Sequence, residues 1–208
     1  MLKPAFVDLS HHNVIPESLK PAKQSGVLGV IHKATEGTGY KDTKLKSRHH
    51  LSGEAGMLWG VYHFLRPGDM IGQAHHFLNT AKPYSDANTL FCMDWEVEGI
   101  TVEDATVFLE EVDRHTKSPP VIYSGHTIKD ALKGKPSAQL SRYRLWLAHY
   151  TSAHHPTLPP GWKKYWGWQY TDQGSVPGIQ PPTDLNAFDG TKEELIDSWA
   201  PQAAPLVA

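Results

Sequence analysis

Short apolar runs recur along the chain, and nearly every one finishes at a polar or aromatic residue. Ala5 to Leu9 contains Asp8, Gly29 to His32 leads to Lys33, and Gly60 to Phe64 carries Tyr62 and His63. Leu90 to Met93 runs into Asp94 and Glu96, Val121 and Ile122 into Tyr123, and Leu145 to Ala148 carries Trp146. Tyr165 to Trp168 leads to Gln169, and Thr183 to Phe188 carries Asp184. Runs of this length predict eight strands.

Between the early strands the apolar period becomes helical. Asp69 is placed to cap a helix whose stripe is Ile71, Ala74, Phe77, Leu78 and Ala81. Thr101 with Asp104 three residues on is a capping-box signature, followed by Ala105, Phe108, Leu109 and Val112 at helical spacing. Thr43 to Ala55 and His126 to Leu132 are weaker helical patterns. Pro21 interrupts Glu17 to Ser25, although Gly26 suits a helix stop. After Tyr143, Pro and Gly become frequent, and no helix of useful length separates the last three strands. Thr191 and Glu194 suit the cap of a short closing helix. The Ala- and Pro-rich end is expected to be a loose tail, which sets a single domain over 1–199 and a tail over 200–208.

Alternating strand and helix predicts a parallel α/β arrangement, and eight strands predict closure into a barrel. A full barrel of this type takes about 250 residues. At 208 residues the chain fits one that lacks its last helices. Functional residues of such barrels sit at the C-terminal strand ends, where the polar residues above fall.

Composition narrows the function classes. The chain is 39% hydrophobic and 20% charged, with a net charge of -2, and it has no basic stripe of the kind nucleic acid requires. Its single cysteine, Cys92, permits neither an intramolecular disulfide nor a cysteine-based zinc cluster, and its apolar setting suggests an inert buried thiol. The N-terminal residues enter a strand at once, leaving no room for a signal peptide, and no apolar stretch is long enough to span a membrane. The expectation is synthesis in the cytoplasm, no membrane insertion, and a monomer.

The sharpest chemical feature is Asp94-Trp95-Glu96. Strand side chains alternate, so the two acids share one face and Trp95 points away. Like charges this close resist joint ionisation, so one proton is held near neutral pH. A glycosidase needs such a pair, one carboxyl to donate a proton and one to stabilise positive charge. Taken alone, an Asp-x-Glu at a strand end is usually a loop entry with solvated acids. Their backbone separation of about 6.6 Å leaves the carboxyl spacing to rotamers, so retention and inversion both stay open.

Several motifs in order resemble the lysozymes of glycoside hydrolase family 25, the Chalaropsis-type muramidases. They are Phe6-Val7-Asp8-Leu9-Ser10-His11-His12, Ile31-His32-Lys33-Ala34-Thr35-Glu36-Gly37, Tyr62-His63-Phe64-Leu65-Arg66-Pro67 and Met93-Asp94-Trp95-Glu96. The series continues through Pro120-Val121-Ile122-Tyr123-Ser124, Leu145-Trp146-Leu147-Ala148-His149-Tyr150, Trp168-Gln169-Tyr170, Gly174-Ser175-Val176-Pro177-Gly178 and Asp184-Leu185-Asn186. The resemblance implies a modified TIM-type (β/α)5(β)3 barrel. It also implies cleavage of the β-1,4 bond from N-acetylmuramic acid to N-acetylglucosamine in peptidoglycan. No cofactor is expected, and with no recognisable ligand set no catalytic metal is expected either. By the same resemblance Glu96 is the general acid, and Asp94 supports a nucleophilic 2-acetamido group of the substrate. Asp8 and Asp184 would orient and ionise that pair by hydrogen bonding. A phage-type endolysin, released to the bacterial wall, fits the expected lack of a leader.

Tyr62, Tyr123, Trp146 and Tyr150 are candidates to line a sugar groove, because aromatic faces suit the C–H faces of pyranose rings, with core packing as the alternative for each. Lys33, Glu36, Arg66 and Gln169 are candidates to bind substrate or hold the carboxylates, or to form an ion network without substrate contact. The chain has 13 histidines, including four adjacent pairs, which raises the alternative of a zinc-dependent peptidoglycan amidase. Adjacent histidines diverge on either regular element, and no H-E-x-x-H occurs, so most are expected at the surface. A non-catalytic glycan-binding barrel is the other alternative, and it would require one of the four carboxylates to be missing.

Overall fold

The computed structural model describes residues 2–201. In chain order the elements are β1 (Phe6–Leu9), α1 (Lys20–Gln24), β2 (Gly29–Glu36), β3 (Tyr40–Lys41), α2 (Leu45–Glu54), β4 (Leu58–Phe64), α3 (Met70–Ala81), β5 (Leu90–Trp95), α4 (Val102–His115), β6 (Val121–Ser124), α5 (His126–Leu132), α6 (Ala138–Ser141), β7 (Arg144–Ala148), β8 (Gly167–Gly174), β9 (Thr183–Ala187) and α7 (Lys192–Trp199). Eight strands form one sheet in the order β1-β9-β8-β7-β6-β5-β4-β2, and pairing of β1 with β2 closes it. Neighbours are parallel except at β9, which is antiparallel to both β8 and β1. Five strand–helix units followed by three strands make the expected (β/α)5(β)3 barrel. The expected tail lies, beyond Pro201, outside the described residues.

The helices form where caps and stripes coincide. Asp69 accepts a hydrogen bond from the Gly72 amide at 2.9 Å to start α3, and capping boxes start α4 and α7. Pro21 does not interrupt α1, because it occupies the first turn, where no intrahelical N–H is needed. The sequence pattern misses β3 and α6, which are too short to show a period. It also places β8 two residues early, since Trp166 precedes the strand and gives its amide to the Leu145 carbonyl.

Two apolar layers position the site. Outside the barrel, Val61, Met93, Trp95 and Leu147 pack against Phe77 of α3 and Phe108, Leu109 and Val112 of α4. Inside it, Phe6, Ile31, Leu90, Cys92, Val121 and Trp146 meet Leu195 and Trp199, with which α7 plugs the end where the parallel strands begin. The Phe6 ring lies 5.4 Å from Trp146, 5.2 Å from Trp166 and 5.7 Å from Trp199. With the lower barrel filled by apolar side chains, inward-facing polar residues are confined to the opposite rim. Along β5, Leu90 and Cys92 point inward and Met93 and Trp95 outward. The next inward positions are those of Asp94 and Glu96.

Candidate active site

A cleft of about 250 Å3 opens at the C-terminal strand ends. Ten of the twelve residues singled out for catalysis or substrate binding line it: Asp8, Asp94, Glu96, Asp184, Lys33, Tyr62, Tyr123, Trp146, Tyr150 and Gln169. Register explains the convergence. Asp8 pairs across the sheet with Asp184, Asp94 with Tyr123, and Tyr123 with Trp146. Each inward position of one strand therefore meets an inward position of the next.

Asp8 is the most heavily bonded of the four acids. Gln169 Nε2 donates to its Oδ1 and Oδ2 at 3.2 and 3.1 Å, and Asn186 Nδ2 donates to Oδ1 at 2.7 Å. Gln169 Oε1 in turn accepts from the Tyr123 hydroxyl at 2.8 Å and the Tyr150 hydroxyl at 2.7 Å. Asn186 Oδ1 accepts from Trp146 Nε1 at 2.6 Å. Both amides thereby have fixed orientations, each with an N–H directed at Asp8.

Asp94 is buried, and its Oδ1 has no hydrogen-bond partner. Burial raises its pKa well above the carboxylate range, and repulsion from Glu96 raises it further, with Lys33 opposing. Glu96 stands at the exposed mouth. Its pKa is also raised, by desolvation and then by the Asp8 charge, while a hydrogen bond from Tyr123 works the other way. Asp184 is pushed up to about 8 by burial, by the Asp8 charge and by its hydrogen bond to Asp8. At neutral pH it is therefore a protonated donor to Asp8. Asp8 itself is raised by burial, against the hydrogen bonds it accepts from Asn186, Gln169 and Asp184.

The expected bonding differs in one respect. The bonds of Asp8 go to Gln169, Asn186 and Asp184, and Asp8 acts on Glu96 through its charge. Glu36 and Arg66 do not line the cleft. Arg66 Nε and Nη2 donate to Glu36 Oε1 at 2.9 and 2.6 Å, and Lys33 Nζ donates to Oε2 at 2.5 Å. Lys33 thus faces the acids from a network anchored outside, with its ammonium 4.7 Å from the centre of the Phe64 ring. Trp146 is 2% exposed and packs on Phe6 and Tyr123, so it serves mainly as wall, whereas Tyr150 is 51% exposed.

Ser10, His12 and Phe64 also line the cleft, and Asn186 supports it from behind, although none was assigned a role from sequence. A signal existed for two of them. Phe64 lies two residues after Tyr62 and Asn186 two after Asp184, hence on the same strand faces. Ser10 and His12 sit on the loop after β1, which Asp42 pins by accepting from the His11 amide at 2.9 Å and from His32 Nε2 at 3.2 Å. Of the adjacent pairs, His11 and His12 lie against each other with ring centres 3.8 Å apart and planes tilted by 39°. His32 and His63 are fully buried, so the histidines are not uniformly superficial.

Comparison with known proteins gives consistent matches. The family model for glycosyl hydrolases family 25 matches residues 7–179. The uncharacterized protein YegX of Escherichia coli K12 is 32% identical over 169 residues, covering 78% of this chain and 60% of that protein. Lysozyme M1 of Streptomyces globisporus is 26% identical over 189 residues, covering 84% of this chain and 64% of that protein. The chain thus spans less than two thirds of the length of these two relatives. Among solved structures, the bacterial lysozyme from Streptomyces coelicolor superposes with a TM-score of 0.82 at 27% identity, covering 93% of this chain and 95% of that one.

Proposed function

The chain belongs to the glycosyl hydrolases of family 25, and from that membership we propose that it is a muramidase, hydrolysing the β-1,4 bond from N-acetylmuramic acid to N-acetylglucosamine in bacterial peptidoglycan. The observation that carries the reading is the state of Asp94, a buried carboxylate with an unpaired oxygen on the wall of a cleft that also holds Glu96. An unpaired buried acceptor is costly unless a ligand completes it. The N–H of a substrate acetamido group is a donor of the right kind.

In this scheme the raised Glu96 carboxyl gives its proton to the glycosidic oxygen. The C1–O bond breaks with its electron pair going to that oxygen. The acetamide carbonyl oxygen bonds to C1 and forms an oxazolinium, while Asp94, ionised when the mutually repelling pair keeps its one proton on Glu96, accepts the acetamide N–H and stabilises the positive charge. Water then adds to C1, Glu96 takes its proton, and the ring reopens with configuration retained. Glu96 also lines a second cleft, of about 420 Å3, with His126, Lys129, His149 and Tyr150. A proton donor between two clefts suits a bond whose two sugars lie on either side of it.

One chain supplies all four carboxylates, so a monomer suffices, and the substrate sets the bacterial wall as the place of action. A glycan-binding barrel without catalysis would not need the proton-holding arrangement of Glu96, Asp8 and Asp184. The test is clearing of purified cell walls together with NMR of the first product formed. The wild-type chain is expected to clear walls and release the β-anomer first, and Glu96→Gln to do neither. An α-anomer first would overturn the acetamido scheme, and intact walls with the wild-type chain would overturn the enzymatic reading.

A further inference from the structure

A second cluster of chemistry-bearing side chains lies between α3 and α4, away from the carboxylates. His75 of α3 and His115 of α4 both direct Nε2 at one oxygen of Glu111, at 2.9 and 3.1 Å from Oε1. Arg114 bonds the other oxygen, Oε2, which orients the carboxylate and leaves Oε1 to the imidazoles. Glu111 is buried, and the two imidazoles are about half exposed, their rings crossing at 80° with centres 6.3 Å apart. Glu111 and His115 are one turn apart on one helix face. Both histidines also border a groove of about 390 Å3 shared with Asp86 and Phe91. Phe91 is at the start of β5, so this groove lies at the barrel end opposite the catalytic cleft.

We propose that His75, Glu111 and His115 form a binding site for a divalent transition metal of the zinc class, one that clips α3 to α4. The donor set of two imidazoles and one carboxylate is the set zinc takes with three protein ligands and a fourth position for water. Metal–ligand bonds of about 2.0 Å in a tetrahedron put neighbouring donor atoms about 3.3 Å apart. The two histidine–glutamate separations already approach this, and all three donor atoms lie within 4.8 Å of one another. Half-exposed imidazoles have the freedom to close the remaining edge. The Nε2 proton of each neutral imidazole moves to Nδ1, and the metal takes Nε2 of both rings and Oε1 of Glu111. The open position faces the groove. His76 takes no part, because its ring bonds the Tyr40 carbonyl at 2.9 Å. Such a site is structural with respect to the proposed hydrolysis, since the acids lie at the other rim.

The competing account is an ion cluster in which Glu111 pairs with Arg114 and protonated histidines and takes no metal. Isothermal titration of the metal-stripped full chain with zinc chloride separates the two. The site predicts one saturable equivalent, a melting temperature that rises with zinc and returns with chelator, and weakening of at least ~10-fold in His75→Gln and in His115→Gln. That is the minimum expected when a direct ligand is lost, given what loss of a ligand's supporting bond costs. A His49→Gln/His50→Gln variant is expected to bind as the wild type does. Both single substitutions are at half-exposed positions, so the variants fold whether or not a metal binds. No saturable binding, or binding unchanged in both single variants, overturns the proposal.

Discussion

At the scale of single residues, the four acids have different proposed roles. Desolvation and the Asp8 charge raise the pKa of Glu96, which is the proposed donor. Glu96→Gln is therefore expected to lower kcat/KM by about 10²–10⁴-fold while leaving the melting temperature unchanged. Asp8 acts on Glu96 through its charge, so Asp8→Asn is expected to move the basic limb of the kcat/KM–pH profile to lower pH. A limb that stays in place would mean Asp8 has only a packing role. Asp184 has its folded pKa raised to about 8 from an ordinary value of about 4. Between those values the folded chain keeps a proton that the unfolded chain has released, so stability falls as pH rises through this window. Asp184→Asn mimics the protonated side chain. Its melting temperature should gain on the wild type between about pH 5 and about pH 8. Asp94-Trp95-Glu96 was legible because strand alternation is strict, and Asp8 and Asp184 because their motifs stand at strand positions. The bonds of Asp8 were not legible, because they join residues more than 160 positions apart on strands whose register the sequence does not state.

At the scale of elements, the helices with both a cap and an apolar stripe, α3 and α4, were plain in the sequence, and α7 was marked by its cap alone. Two features were hidden for physical reasons. A period of two reports which faces are apolar but carries no direction, so the antiparallel run of β9 could not be read from Thr183 to Phe188. Pro21 looked like a break only because the start of α1 was placed too early. Gly167, at the first position of β8, illustrates how elements hold the site. A Cβ there would lie 2.8 Å from Phe6 Cζ and 3.0 Å from Trp146 Cδ1, atoms of packed aromatic rings. Gly167→Ala is expected to cost about 1–3 kcal/mol by chemical denaturation. It should also lower activity by shifting Trp146, whose Nε1 orients Asn186 against Asp8.

At the scale of the whole molecule, the barrel separates its two ends. Aromatic and aliphatic side chains fill the lower interior, α7 seals it, and the acids crowd the upper rim. Trp199 is the centre of the seal, 1% exposed, with Nε1 donating to the Trp59 carbonyl at 2.8 Å and its ring against Phe6. Trp199→Ala is expected to destabilise the fold by about 3–5 kcal/mol. Because the acids lie at the other rim, kcat/KM measured well below the melting temperature should change little. The central claim is that this rim cleaves the muramic acid side of the glycan strand. The most direct measurement is mass spectrometry of peptidoglycan fragments reduced with borohydride after digestion. The account predicts reduced N-acetylmuramic acid at every new end. Reduced N-acetylglucosamine, or free stem peptides with the glycan intact, would contradict it.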